Sequence, residues 1–175
     1  MSEIVKDLDK EIKLLNLRSL ALSHILKAPT KQDSILDLFE NIKQNNEKNT
    51  FKNLLNFQAS SDKPSLFMEL CDIPELPLAI IKLCIENKAN INLQVENQAA
   101  DVISKEPNFK KSAFAVSLLH NRFDIAKTLL KNNYKLTNND RVIIKNCFTN
   151  IASFETLINK QFNHKTSGKC KEIDQ

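Results

Sequence analysis

Side chains that could attack a substrate or bind a metal are few and scattered in this sequence of 175 residues. It has four cysteines, Cys71, Cys84, Cys147 and Cys170, and three histidines. No two cysteines are close enough to form the CxxC pair that many zinc sites use. Cys71, Cys84 and Cys147 lie within apolar helical patterns, which predicts small buried hydrophobic side chains rather than disulfide partners. The sequence therefore predicts no metal ligands and no cofactor.

A cysteine–histidine dyad is the catalytic pairing that these residue types would allow. Cys147 would have to meet His120 or His164 in one cleft, and His120 is better explained as a solvent-facing residue at a helix end. Aspartates and glutamates are spread along helix faces beside lysines, so no carboxylate pair for acid–base catalysis stands out. The single glycine excludes a Gly-rich phosphate loop. We therefore predict that the protein is not an enzyme, with a cryptic catalytic site as the alternative.

Composition places the chain among globular proteins of one domain. Hydrophobic residues make up 42% and charged residues 26%, and the net charge is +4 from 25 basic and 21 acidic residues. So small an excess does not favour nucleic acid as a partner. No apolar run reaches the ~20 residues of a membrane span, and the charged start, residues 1–7, is unlike a signal peptide. These features predict a cytoplasmic protein with no membrane span.

The N-terminal part of the chain is predicted to form helices joined by short breaks. Residues 3–27 have the pattern of one long amphipathic helix. Its predicted apolar face consists of Ile4, Leu8, Ile12, Leu15, Leu22 and Ile25. A second helix over 31–44 would begin at a capping box formed by Thr30 and Asp33, and a short third helix follows a polar loop. We interpret residues 1–60 as a helical N-terminal cap region.

Two segments further along the chain repeat one pattern. They are 79–92, which has the sequence AIIKLCIENKANIN, and 124–137, which has the sequence DIAKTLLKNNYKLT. Each is an amphipathic helix followed by a polar stop and a short extended piece. Each also comes after another short apolar helix, at 66–71 and at 113–119. Repeated helix pairs indicate a stacked architecture, because one pair cannot bury its apolar face alone.

The second helix of each pair resembles that of the ankyrin-repeat family, whose unit of ~33 residues is a turn followed by two antiparallel helices. That helix commonly has the sequence EIVKLLLxxGADVN, and segment 79–92 follows it with Lys88 in place of the glycine. Asn121 and Asn133 stand at the glycine positions of the next unit. Asparagine tolerates the left-handed backbone conformation that such helix ends require. The resemblance covers residues 62–162.

The sequence also departs from the family pattern. The TPLH signature, which ties neighbouring turns together by hydrogen bonds, is replaced by SLFM at 65–68 and SAFA at 112–115. These ties must therefore be missing or remade. Lys82 and Lys127 hold equivalent positions 45 residues apart, about a dozen more than one unit. We assign the surplus to 95–110 and predict an inserted helical turn there.

The predicted fold is all-α, a short ankyrin-like helical solenoid with a helical N-terminal cap. Residues 61–163 would hold about three repeats, the last of them a capping unit with helices at 140–148 and 153–160. Residues 164–175 would form a flexible polar tail. A purely structural helical bundle, with an accidental likeness to ankyrin repeats, is the alternative.

The resemblance implies that the protein binds a protein partner in the concave groove of the stack. The residues that map to this groove are Leu66, Glu69, Asp72, Lys110, Lys111, Ala113, Val116, Leu119, His120 and Arg122. Lys110 and Lys111 would belong to a basic finger. Arg122 and Phe123 would be binding anchors, with the alternative that Phe123 plugs the gap between repeats. The alternative function is a secreted bacterial effector or adaptor that acts on host proteins after non-classical export into a host cell. Heavy use of Lys, Asn and Ile, which indicates an AT-rich genome, suits that alternative.

Overall fold

The computed structural model describes residues 3–96 and 110–147, and within them the chain forms eight α-helices and two short strands. The helices are α1 (Glu3–Lys27), α2 (Gln32–Gln44), α3 (Thr50–Asn56), α4 (Leu66–Asp72), α5 (Leu78–Glu86), α6 (Ala113–Leu119), α7 (Phe123–Lys131) and α8 (Asn138–Cys147). The strands are β1 (Gln94–Glu96) and β2 (Lys110–Ser112). The prediction of a mostly helical, all-α chain is confirmed. The helix predicted at 153–160, the tail at 164–175 and most of 95–110 lie outside the described residues.

The first helix has the bounds that its pattern predicts, because α1 spans Glu3–Lys27. Within the described part of the chain, this and every other helix is too short or too polar to cross a membrane. The next helix, α2, buries Ile35, Phe39 and Ile42 on one face. The capping box predicted for α2 is wrong, since Lys31 occupies the N-cap position and no side chain caps the first turn.

The apolar face predicted for α1 combines two different faces of the helix. Ala21 and Ile25 are fully buried against the rest of the chain. Leu8, Ile12 and Leu15, by contrast, are 55%, 49% and 43% exposed. The prediction fails because a helix of 25 residues makes about seven turns, enough for one apolar row against the core and a second row in water.

From α4 onward the helices pack as successive pairs. Helix α4 lies against α5 and α6 lies against α7, and the two pairs meet through contacts of α4 with α6 and of α5 with α7. Helix α8 follows on α6, while on the other side α3 contacts α4 and α2 contacts α5. Ile81, Ile125 and Leu129 belong to one buried cluster, and half-buried Leu83 packs against it. The described helices therefore share one hydrophobic core.

Three helix ends adopt the left-handed backbone conformation without a glycine. Lys88, Asn121 and Asn133 have φ values of 67°, 57° and 65°. The amide that follows each of them donates to the carbonyl five positions earlier, which closes the helix as a Schellman motif. These bonds join Ala89 to Cys84, Arg122 to Ser117 and Tyr134 to Leu129, with N···O distances of 3.0, 2.8 and 3.0 Å. The family's three glycine positions thus share one geometry in this chain.

Serine side chains cap the N-termini of α4 and α6. The Oγ of Ser65 accepts a hydrogen bond from the Met68 amide at 3.3 Å, and the Oγ of Ser112 accepts one from the Ala115 amide at 3.0 Å. Each serine is the first residue of a stretch that replaces the TPLH signature, and its hydroxyl satisfies an amide that the first helical turn leaves unpaired.

Strands β1 and β2 pair in antiparallel fashion, an arrangement that the sequence analysis did not predict. Val95 lies opposite Lys111 at the centre of the three-residue ladder. The helical turn predicted within 95–110, at 99–103, lies outside the described residues, while the two ends of that segment form the strands. Strand β2 leads directly into the N-terminus of α6. The pairing of β2 with β1 therefore fixes the position of Lys111 beside that helix.

We expect Lys88→Gly to raise the free energy of unfolding by about 0.5–1 kcal/mol. A left-handed conformation costs a non-glycine residue roughly 1–2 kcal/mol, part of which the greater entropy of unfolded glycine offsets. The matched control is Lys82→Gly, an exposed position inside α5, which should lower the same free energy by about 1 kcal/mol. Urea unfolding of both variants measures the difference. Equal losses in both would show that the left-handed turn does not limit stability.

Candidate functional site

A cleft of about 170 Å³ lies between α4 and α6, beside the strand pair. Its walls are formed by Asp62, Pro64, Met68, Glu69, Asp72, Val95, Lys111 and Val116. The floor is apolar and the rim carries three carboxylates against one ammonium group. The cleft exists because successive helix pairs meet at α4 and α6, while β2 brings Lys111 to its edge.

The residues predicted for the groove divide into two groups. Glu69, Asp72, Lys111 and Val116 all line the cleft. Leu66 and Ala113 are fully buried, Leu119 is half-buried, and Lys110 lies in β2. The expectation that packing leaves such inner-helix side chains free is therefore wrong for Leu66 and Ala113, because short helices of seven residues bury nearly every apolar side chain they carry.

An ion pair forms the back of the cleft. Arg18 of α1 lies 2.8 Å from the carboxylate of Glu69, and its guanidinium also donates to the Pro64 carbonyl at 3.2 Å. Burial raises the pKa of Glu69, and the neighbouring guanidinium opposes that shift without cancelling it. Among the described residues, Nε of Arg18 and Oε2 of Glu69 find no hydrogen-bond partner. The pair thus fixes α1 against α4 without satisfying all of its own polar atoms.

His120 and Asp72, both predicted to face a partner, are paired with each other. Nε2 of His120, at the end of α6, lies 2.6 Å from Oδ1 of Asp72, at the end of α4. Both side chains are more than one third exposed, so solvent screens the pair and its contribution to stability is small. The pair links the end of α6 to the end of α4, and its Asp72 member lines the cleft.

Arg122, which was predicted to bind a partner, makes its hydrogen bonds within the chain. Its Nε and Nη2 donate to both carboxylate oxygens of Asp124 at 2.9 and 2.8 Å, while Nη1 donates to the carbonyl oxygen of Pro74 at 2.7 Å. These bonds lower the pKa of Asp124. Phe123, next to it, is half-buried and packs against the core. The packing of Phe123 agrees with the plug interpretation of that residue. Arg122 joins the start of α7 to the loop after α4, and its guanidinium has few donors left for a partner.

Two asparagines tie the loops of successive units together. The side chain of Asn56, at the end of α3, donates to the Lys88 carbonyl at 3.0 Å and accepts from the Asn90 amide. One unit further on, Oδ1 of Asn92 accepts from the Lys135 amide at 2.7 Å. These bonds join segments that lie 32 to 43 positions apart in the chain.

The thiols of the described residues do not form a reactive site. Cys71 and Cys84 are fully buried, which confirms their interpretation as small hydrophobic side chains. Burial raises the pKa of both thiols, so they stay protonated and are poor nucleophiles. The side chain of Cys147 lies outside the described part, so the proposed dyad with His120 is not tested. No set of three or more His, Cys, Asp or Glu side chains among the described residues is arranged to hold a metal ion.

A buried network around Asp140 joins the N-termini of α6 and α8. The Ser112 hydroxyl donates to one carboxylate oxygen at 2.8 Å. The other oxygen accepts from the Tyr134 hydroxyl and from the amide and hydroxyl of Thr137, each at 2.8 Å. The Asp140 amide returns a bond to the Thr137 hydroxyl at 3.1 Å, which completes a capping box with aspartate in place of glutamate.

The network is buried, which indicates that its role is structural. Asp140 is fully buried, and Ser112 and Tyr134 are each 1% exposed, so no substrate reaches them. Burial, and then the carboxylate beside it, raises the pKa of Tyr134, which therefore stays protonated and acts as a donor. Its ring stacks on Phe114 with centroids 5.2 Å apart. The capping role of Asp140 was not predicted, although its three-residue spacing from Thr137 is typical of a capping box.

A second groove lies on the opposite helices, between α5 and α7. Its rim carries the three lysines Lys82, Lys127 and Lys131, with Glu86 and Asp124 among them. Lys82 and Lys127 occupy equivalent places on the two helices. Because acidic and basic groups alternate along this groove, it offers a surface of mixed charge that differs from the acidic rim of the α4–α6 cleft.

Comparison with known proteins gave no match. No protein-family model, no curated protein and no solved structure matches the chain. The contacts, burial and charges described above are therefore the basis on which a function can be proposed.

We expect Tyr134→Phe to lower the free energy of unfolding by about 1.5–3 kcal/mol, the range for a hydrogen bond to a charged group. The ring that stacks on Phe114 is kept, so the loss reports on the hydroxyl alone. Ser19→Ala, which removes an exposed hydroxyl that donates to the Leu15 carbonyl, is the control and should be nearly neutral. The loss should shrink when Asp140→Asn is already present. An unchanged loss in that background would contradict the network.

We expect the contribution of Asp124 to stability to depend on pH. Arg122 lowers its pKa in the folded chain below the ordinary value of 3.8, so the folded state binds this proton less tightly than the unfolded state. The stabilisation is present above the unfolded pKa and is lost as pH falls through the folded one. The urea midpoints of the wild type and of Asp124→Asn should therefore differ near about pH 6 and converge in acid. A constant difference would contradict the pairing.

Proposed function

We propose that this chain is a non-enzymatic protein-binding module built as a short ankyrin-like stack of helix pairs. The pairs α4–α5 and α6–α7 support this arrangement, because the first helices of the two pairs contact each other and so do the second helices. These contacts are α4 with α6 and α5 with α7. Such contacts are what a repeat architecture requires, since each unit buries its apolar face on its neighbour. Helix α8 extends the row of α4 and α6.

The helix ends give independent support. Left-handed residues occur at the positions where the ankyrin pattern has glycine, and the same closing hydrogen bond follows each of them. The lost TPLH ties have a counterpart in the Asp140 network, which binds the start of α6 to the start of α8. We infer that the repeat geometry persists after its signature residues have changed, because other side chains now hold the same turns.

The N-terminal helices act as a cap in this proposal. Helix α3 contacts α4 and α2 contacts α5, so α3 continues the row of first helices and α2 the row of second helices. Their order along the chain is the reverse of that in the following pairs. We infer that α1 to α3 cover the apolar end of the stack, as a terminal unit must.

The observation that carries the binding proposal is the α4–α6 cleft. It lies on the row of first helices, which in ankyrin-like stacks borders the concave surface, and it has an apolar floor with Met68, Val95 and Val116. Clefts that combine an apolar floor with a few polar groups at the rim are the usual shape of binding sites. Of the residues predicted for the groove, Glu69, Asp72 and Lys111 are the charged ones that line this cleft, and we propose that they contact the partner.

The charges of the rim indicate the chemistry of the partner. Asp62, Glu69 and Asp72 face a single ammonium group, that of Lys111. Arg18 and His120 already compensate two of these carboxylates, which leaves Asp62 as the acidic group least engaged by a cation. We propose that the cleft binds an extended protein segment with an apolar side chain next to a basic one, the first filling the floor and the second meeting the rim.

Selection from a phage-displayed library of random peptides tests this function. We expect enrichment of peptides with an apolar residue beside lysine or arginine. When a labelled peptide is titrated into ¹⁵N-labelled protein, amide shifts should concentrate at Glu69, Asp72, Lys111 and Val116. Shifts that concentrate instead in the α5–α7 groove, or a library without enriched sequences, would overturn the assignment of the cleft.

Charge reversal provides the matched variants. Asp62→Lys should weaken peptide binding about tenfold, equivalent to ~1.4 kcal/mol, whereas Lys111→Glu should strengthen it because the rim becomes more acidic. Lys127→Glu, the same change on the α5–α7 groove, should leave the affinity unchanged. Substitutions of Arg122 are unsuitable here, since this side chain holds the two helix pairs together and its loss would confound stability with binding.

A further inference from the structure

The N-terminal half of α1 carries a row of apolar side chains in water. Val5, Leu8, Ile12 and Leu15 are 41%, 55%, 49% and 43% exposed. Their steps of three, four and three residues are those of a coiled-coil heptad, in which they occupy alternating a and d positions. The same spacing continues through Ser19 and half-buried Leu22 to Leu26, which is 63% exposed. We refer to Val5, Leu8, Ile12 and Leu15 as the α1 seam.

The α1 seam points away from the body of the protein. Leu14, Ala21 and Ile25 are the buried residues by which α1 packs into the core, and half-buried Leu17 and Leu22 pack against it. At about 100° per residue, the direction of the seam and that of the three buried residues differ by roughly 140° around the helix axis. A neighbour lying along the seam would therefore leave the contacts of Leu14, Ala21 and Ile25 in place.

The residue types of the seam match one kind of neighbour. The a positions hold the β-branched residues Val5 and Ile12, and the d positions hold Leu8 and Leu15. This distribution favours two parallel strands over higher oligomers, because β-branched side chains at a and leucine at d suit the packing of parallel dimers. A second copy of the chain presents the identical row, so the seam is complementary to itself.

The flanking charges agree with a parallel orientation. Glu11 and Asp9 lie at g and e positions beside the seam, and both are exposed. In a parallel pair, Glu11 lies opposite Asn16 of the second copy, so no like charges meet there. In an antiparallel pair centred on the seam, Glu11 would face Glu11 and Asp9 would face Asp9, and like charges repel.

We propose that the protein associates with a second copy of itself through the α1 seam, which forms a parallel two-stranded coiled coil. Association removes the four seam side chains of each copy from water, and this hydrophobic burial drives it. The α4–α6 cleft of each copy plays no part in the contact, so the proposal is independent of the proposed binding function.

Sedimentation equilibrium of the full chain over a range of concentrations tests the association. We expect twice the monomer mass for the wild type and the monomer mass for Leu8→Lys/Ile12→Lys. The control is Leu20→Lys, an equally exposed leucine of α1 that lies off the seam, which should remain dimeric. A monomeric wild type, a dimeric double variant or a monomeric control would each overturn the proposal. Binding of monomeric wild type to phosphatidylcholine–phosphatidylserine vesicles would point to a lipid surface instead and overturn it too.

Disulfide trapping tests the orientation. Cys147 and Cys170 are replaced by serine, and Leu8→Cys is then introduced and mildly oxidised. In the parallel pair residue 8 lies beside residue 8, so we expect covalent dimers of this single variant, at least tenfold more than with Leu20→Cys. Cross-linking that occurs only when Leu8→Cys and Ile12→Cys proteins are mixed would show an antiparallel pair and overturn the parallel arrangement.

Discussion

The helix pairs α4–α5 and α6–α7 bury their apolar sides against each other, and the rest of the described structure depends on that packing. Helices of seven to nine residues are too short to be stable in isolation, so packing must stabilise them. The bonds of Asn56 and Asn92 and the contacts of Arg122 hold that packing in place, since each joins segments that are distant along the chain. The left-handed residues close the ends of the individual helices.

Sequence periodicity predicted the elements that local patterns encode. Helices α5 and α7 were predictable because their apolar spacing, their polar stops and the left-handed residues after them all lie within about a dozen residues. The sequence pattern did not distinguish the buried apolar row of α1 from the exposed one. Over about seven turns, apolar residues on either face of the helix recur at the same three- and four-residue spacing. Only the position of Leu14 and Ile25 against the core shows which row is buried.

Long-range contacts escaped the sequence analysis for a different reason. The pairing of Val95 with Lys111 and the bond between Ser112 and Asp140 join residues 16 and 28 positions apart, and no local pattern records such a partner. The same limit applies to the candidate site. The resemblance to ankyrin repeats placed all four of the following residues on one predicted groove, but burial separates Leu66 and Ala113, which belong to the core, from Glu69 and Lys111, which line the cleft.

The carboxylates of Asp140 and Glu69 differ in how completely they are paired. Asp140 receives four donors on its two oxygens, so its burial is compensated and its place in the fold is fixed. Glu69 shares one oxygen with Arg18, while its other oxygen has no partner among the described residues and burial raises its pKa. Folding alone would favour a better-paired or apolar residue at that position. The unpaired Oε2 of Glu69 is itself buried, so its loss of water is a cost to the fold that the single contact with Arg18 offsets only in part, whereas the four donors around Asp140 offset the same cost there.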